Sequence, residues 1–132
     1  MPYIHIKLAG ARLATPQRDG LLARITDLMG RVMRKNREVT VVSIEHADPS
    51  HWAVAGRALN TTDPPAAYVE IKVTAGTNTP EEKAAMIAET KAALNAAVGT
   101  IQTATYVVIH DIAADSWGYD GITQSARRGG IS

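Results

Sequence analysis

The sequence predicts a small α/β domain: two fused β-α-β units sharing a four-stranded sheet, with both helices on one face. Two observations carry this. The first is an internal repeat. Tyr3, Ile6 and Lys7 recur as Tyr68, Ile71 and Lys72; Thr40, Val42 and Ile44 recur as Thr105, Val107 and Ile109; Trp52 and Gly56 recur as Trp117 and Gly121, every pair 65 positions apart. Eight identities in one register, both tryptophans among them, at nearly half of 132 residues mark a single duplication rather than a solenoid. The second is the order within each copy: a β-rich segment, a helical segment led by proline, then another β-rich segment.

The elements follow in order. Tyr3 to Leu8 and Tyr68 to Val73 read as the first strand of each copy. Thr15-Pro16 and Thr79-Pro80 read as helix starts, because Thr can cap free backbone N–H groups and Pro costs nothing in the first turn. Glu81 and Glu82 place negative charge where the helix dipole favours it. The first helix is expected from Pro16 to about Lys35, with Leu22, Ile25, Met29, Val32 and Met33 as its apolar stripe. The second is expected from Pro80 to about Val98, with Ile87, Leu94, Ala97 and Val98 inward and Gly99 as its stop. Val39 to Glu45 and Thr105 to Ile112, rich in β-branched residues, close each unit as strands. A strand, helix and strand of these lengths imply a right-handed parallel crossover. The units are assigned to residues 1–59 and 67–126, joined by a linker over 60–66 that contains Pro64-Pro65, with a loose tail over 127–132. The sheet face away from the helices is expected to carry apolar side chains, which self-association would cover.

Composition narrows the function. The formal net charge is +1, which offers no broad attraction for nucleic acid or an acidic membrane. The basic run from Arg31 to Arg37 reads as the solvated end of a helix. There are no cysteines, so disulfides and thiolate chemistry are excluded. No apolar run approaches the ~20 residues that span a bilayer. The N-terminus lacks a signal-peptide layout, and the cytoplasm is the default location. His5, His46, His51 and His110 form no pair at helical metal-ligand spacing, and no metal or other cofactor is expected.

Pro2 stands apart. A small residue after the initiator methionine permits removal of Met1, and the chain would then begin with a secondary amine. A free α-amino group has a pKa near ~8, closer to neutrality than a lysine. Burial and a nearby cation push that value lower, toward a base suited to shuttling protons.

With Met1-Pro2-Tyr3-Ile4-His5-Ile6-Lys7, Gly10 and Arg12 at the front, and Tyr106 to Asp111 with Ser116 to Gly121 behind, the layout resembles the tautomerase superfamily, named for 4-oxalocrotonate tautomerase. The stretch from Ile44 to Asp48 with Gly56-Arg57 also resembles the related 3-chloroacrylate dehalogenases. The resemblance covers nearly the whole chain. It implies a homotrimer of fused units and a cofactor-free tautomerase of small 2-hydroxydienoic or 2-oxo acids, with Pro2 as general acid/base. It puts Arg12 at the position that binds a substrate carboxylate and Trp117 at that of an aromatic wall, with Trp52 as its counterpart in the other copy. The family's second arginine falls near Thr40 or Val41 and near Thr105 or Tyr106, where no arginine stands; Tyr106 offers a hydroxyl instead. The second copy has Ala67 in place of Pro2 and Thr77 or Asn78 near the place of Arg12, so it is expected to be silent. Two alternatives remain: a dehalogenase or hydratase, for which Glu45 and Asp48 are candidate water-activating carboxylates, and an inactive trimeric binding protein.

Overall fold

The computed structural model describes residues 1–128. The first unit comprises β1 (Tyr3–Ala9), α1 (Thr15–Arg31), β2 (Val41–Ala47) and a short hairpin of β3 (Ala53–Val54) and β4 (Arg57–Ala58). The second comprises β5 (Ala66–Thr74), α2 (Pro80–Val98), β6 (Tyr106–Ile112) and a hairpin of β7 (Gly118–Tyr119) and β8 (Ile122–Thr123). Both crossovers are parallel, and β1 meets β5 antiparallel, giving one sheet in the order β2-β1-β5-β6. The antiparallel pairing sets His5 opposite Glu70. These two residues are also repeat counterparts, so the pseudo-two-fold axis of the duplication passes between them.

The core lies between the sheet and its helices. Ile4, Ile6 and Leu8 of β1 and Val69, Ile71 and Val73 of β5 are buried. They pack with Leu21, Ile25, Leu28 and Met29 of α1 and with Met86, Ala93 and Leu94 of α2. Alternation along a strand sends the intervening residues to the other face. That face is mixed rather than uniformly apolar. Its central strands carry Tyr3, His5 and Lys7 on β1 and Tyr68, Glu70 and Lys72 on β5, while the edge strands carry Val41, Ser43 and Glu45 on β2 and Tyr106 and Val108 on β6, with Val41 and Tyr106 exposed. His5 is held there by Ser43 Oγ at Nδ1 and by Glu45 Oε1 at Nε2, both at 2.9 Å, and Tyr3 Oη shares Ser43 Oγ at 2.9 Å. β1 and β5 look apolar when read as runs, but the period of two divides them into an aliphatic face and a polar one.

Helix boundaries show where local rules were overridden. α2 starts as expected: Thr79 Oγ1 accepts from Glu82 N–H at 3.1 Å, and Glu82 Oε1 accepts from Thr79 N–H at 2.9 Å. Gly99, at φ 82°, ends it. α1 does not use Thr15 as its cap. Ala14 occupies the cap position, its N–H satisfied by Gln17 Oε1 at 2.9 Å, and Thr15 is already helical. The repeat explains this, since Ala14, not Thr15, is the counterpart of Thr79. α1 also stops at Arg31 rather than Lys35, where Arg34 takes a positive φ of 60° and Lys35 N–H turns back to Met29 C=O. On α2 the buried stripe is Met86, Thr90, Ala93 and Leu94, and Ile87 is exposed. In an alanine-rich helix, one apolar residue more or less shifts the apparent stripe.

Candidate active site

Pro2 is buried at the point where β1 begins, and its C=O accepts the Val41 N–H at 3.4 Å. Continuing the β1–β5 register places Pro2 beside Val73 and Met1 beside Thr74. Trp117 reaches the same end, where its Nε1 donates to Thr74 Oγ1 at 3.1 Å. A tight hairpin holds that indole. Asp120 and Gly121 both have positive φ, the geometry of a two-residue turn that follows strand twist. Gly118 is required there, because a Cβ would lie 1.9 Å from the Ile122 carbonyl oxygen. Arg127 is not loose: its guanidinium lies 3.7 Å from the Tyr119 ring centroid, and its Nη2 donates to Tyr119 C=O at 2.9 Å. The rest of the expected tail, 129–132, lies outside the described residues.

A cation absent from the sequence reading stands at this end. Lys35 belongs to the basic run read as solvated, yet it is half-buried, and its Nζ donates to Thr77 Oγ1 at 2.7 Å. Burial lowers its pKa, against the opposing pull of Glu82 and Asp111. The α-amino group of Met1 is also lowered, first by burial and then by the positive charge of Lys35. The amino terminus and Lys35 therefore share one partly desolvated place. Around them several charges are paired: Arg34 Nε meets Glu82 Oε2 at 3.2 Å, Lys83 meets Asp111, and Arg37 meets Asp27. Asn78 Nδ2 ties the loop to Met33 C=O at 2.9 Å.

Arg12 and Tyr106 lie elsewhere. Arg12 follows the far end of β1, roughly 25 Å of strand from Pro2 at about 3.3 Å per residue. It lines a cleft of about 670 Å³ with His46, Asp48 and Asn60. Tyr106, exposed, opens β6 at that same far end and pairs in register with Tyr68. One chain thus brings Pro2 and Trp117 together but not Pro2 with Arg12 or Tyr106. The antiparallel junction is the reason: it sets the start of each unit's first strand beside the end of the other unit's first strand. The loop position facing Pro2 is accordingly that of Thr77, the repeat counterpart of Arg12. That inversion was available from the repeat itself, once the two copies are joined antiparallel.

Known proteins place this architecture. The family described as "Tautomerase enzyme" matches residues 2–61 and again 68–127. The "Probable tautomerase K2" of Dickeya dadantii (strain 3937) is 27% identical over 59 residues, covering 45% of this chain and 88% of that protein. Among solved structures, native fused 4-OT superposes with a TM-score of 0.81 at 22% identity, over 94% of this chain and 97% of that one. Pt0534 inactivated by 2-oxo-3-pentynoate gives 0.82 at 20% identity, over 94% and 97%. The macrophage migration inhibitory factor of Toxoplasma gondii gives 0.75 at 16% identity, over 92% and 98%. With both halves matched, the chain belongs to the tautomerase family.

Proposed function

We propose that removal of Met1 frees Pro2 to act as general base in a cofactor-free enol–keto tautomerase of small 2-hydroxydienoic or 2-oxo acids. One observation carries this reading: Pro2 is buried at the start of β1, and the Met1 amine next to it is held below its ordinary pKa, first by burial and then by the positive charge of Lys35. The free amine takes the proton of the enol hydroxyl. As the C–O bond becomes a carbonyl, the electron pair of the C=C bond moves to carbon, and the ammonium of Pro2 returns the proton there. Lys35 holds the substrate carboxylate, and Trp117 forms the apolar wall that keeps water from the amine. Arg12 can reach this Pro2 only from a neighbouring copy. Fused 4-OT proteins solved as symmetric and asymmetric trimers support a homotrimer that would supply it. A cytoplasmic location fits such chemistry.

The dehalogenase reading is less well supported. Glu45 is engaged by His5, and Asp48 Oδ1 accepts from Ser50 N–H at 2.9 Å and from Ser50 Oγ at 2.7 Å. Both carboxylates belong to the Arg12 end of β2.

The test uses the native mass and an inactivator. The purified chain should lack Met1, and 2-oxo-3-pentynoate, which inactivates Pt0534, should add to Pro2 in the peptide map. Pro2→Ala should abolish ketonisation of phenylenolpyruvate, while Ala67→Gly should leave most of it. Retained Met1, or equal losses from both substitutions, would sink the proposal.

A further inference from the structure

The far end of the sheet repeats the Pro2 end with two parts changed. A cleft of about 530 Å³ lies there, lined by Lys7, Trp52, Ala67, Tyr68 and Tyr106 among others. Their counterparts 65 positions away are Lys72, Trp117, Pro2, Tyr3 and Val41. Lysine, tryptophan and tyrosine are thus kept at both ends. Two parts differ: Tyr106 stands where the Pro2 end has Val41, and Ala67, an internal residue with an amide nitrogen, cannot serve as a base where Pro2 could.

The residues of this end make a coherent receptor. Trp52 packs against Ala9 and Ala66, a row of small residues that gives the indole a firm seat on the sheet. Tyr68 and Tyr106 stand side by side in register across β5 and β6, and Lys7 stands beside Tyr68 across β1 and β5. On its other side Lys7 is paired in register with Glu45, but that carboxylate is taken by His5 Nε2 at 2.9 Å. Lys7 itself makes no ion pair among the described residues. An uncommitted ammonium beside three aromatic rings suits a flat organic anion, the charge answered by Lys7 and the plane by the rings.

We propose that the cleft at the Ala67 end is a second binding site for small planar carboxylates, one that binds without turning them over. The argument uses the residues of this cleft alone and does not depend on the chemistry assigned to Pro2.

The experiment isolates this end by fluorescence. Trp117→Phe in the full chain leaves Trp52 as the only tryptophan, and the protein is titrated with trans-cinnamate, which has no enol to convert. Saturable quenching is expected within about 10 mM, the weak range in which a small anion with one charged contact binds. Adding Lys7→Met should weaken it at least about tenfold, as loss of a charge-assisted contact does. Lys7→Arg should retain most of it, which separates lost charge from lost fold; far-UV circular dichroism checks the fold directly. Neutral cinnamamide should bind as weakly to the lysine protein as cinnamate binds to Lys7→Met. In the otherwise native chain, Lys7→Met should leave turnover unchanged. Absence of saturable quenching would overturn the proposal, as would cinnamamide binding as well as cinnamate. So would a fall in turnover matching the fall in binding, since the cleft would then belong to the catalytic site. Because the binding readout is Trp52 fluorescence, failure of the Pro2 mechanism would leave the cinnamate and cinnamamide titrations intact and remove only the turnover comparison.

Discussion

Lys35→Met keeps the length and apolar stem of the side chain and deletes only its charge. If Lys35 holds the substrate carboxylate, the variant loses one charge-assisted contact, worth about 1.5–3 kcal/mol. That converts to a fall of about tenfold to a hundredfold in kcat/KM. Ketonisation of phenylenolpyruvate, followed by absorbance across pH, reads the fall and a second effect. A positive neighbour disfavours protonation of the amine, so deleting it raises the Pro2 pKa. The reactive form is the free base, so the rising limb of the pH–rate profile moves to higher pH. Stability should move the other way. The folded protein holds Lys35 below its ordinary pKa. That costs stability while the unfolded chain is fully protonated, and the cost fades as pH rises from the folded value toward the unfolded one. Lys35→Met should therefore be less active and, at neutral pH, more resistant to urea. Thr77→Val, which removes the acceptor 2.7 Å from Nζ, should reproduce part of the loss of activity. The reasoning is refuted if Lys35→Met leaves kcat/KM unchanged while Arg12→Ala lowers it tenfold or more. A neighbouring subunit's Arg12 would then be the cation of the site.

Three further outcomes are expected. Thr79→Ala should cost about 1 kcal/mol in urea unfolding, the usual loss on removing a helix cap. Glu82, whose carboxyl is held low first by the Thr79 N–H and then by Asn78, stabilises the fold above its unfolded pKa and loses that contribution as pH falls through the folded value. The stability gap between wild type and Glu82→Gln should close on acidification. Gly118→Ala must push a Cβ into the Ile122 carbonyl, so it should open the β7–β8 hairpin, red-shift Trp117 emission and lower activity together; unchanged emission would contradict the hairpin geometry. Light scattering should give the mass of a trimer at micromolar concentration, and a stable monomer would remove any neighbour's contribution to Pro2.

Most of the fold was legible because its signals are local or periodic. The 65-residue offset found both units, Thr79, Glu82 and Gly99 bounded α2, and alternating apolar residues located the strands. The C-terminal end of α1 was not legible, since Arg34 turns the chain at positive φ without a glycine to announce it. The polarity of the open face was hidden because Tyr3, His5 and Lys7 interleave with Ile4, Ile6 and Leu8. Of the candidate site, Pro2 and Trp117 could be read as neighbours through the family resemblance. Lys35 could not, because it stands among basic residues that are mostly exposed, and its burial depends on the Thr77 loop contributed by the other copy. Arg12 was named through the family resemblance, which does not say which copy's loop stands beside Pro2; within one chain the antiparallel junction sets Arg12 at the other end of the sheet.

The pairing of His5 with Glu70 bears on what gene fusion permits. In an assembly of separate identical units, the residue on a two-fold axis faces its own copy, so any charge chosen there meets the same charge. Fusion removes that constraint, and this chain sets His5 opposite Glu70 at the axis, with the imidazole nitrogens turned to Ser43 and Glu45. Reverting to one kind of unit would set Glu70 against a second Glu70, a like-charge contact between adjacent strands that disfavours pairing, or His5 against a second His5. The join is therefore directional: each half is adapted to the other and no longer to itself. Separated halves expressed together should select the mixed pair over the pairing that sets Glu70 against a second Glu70.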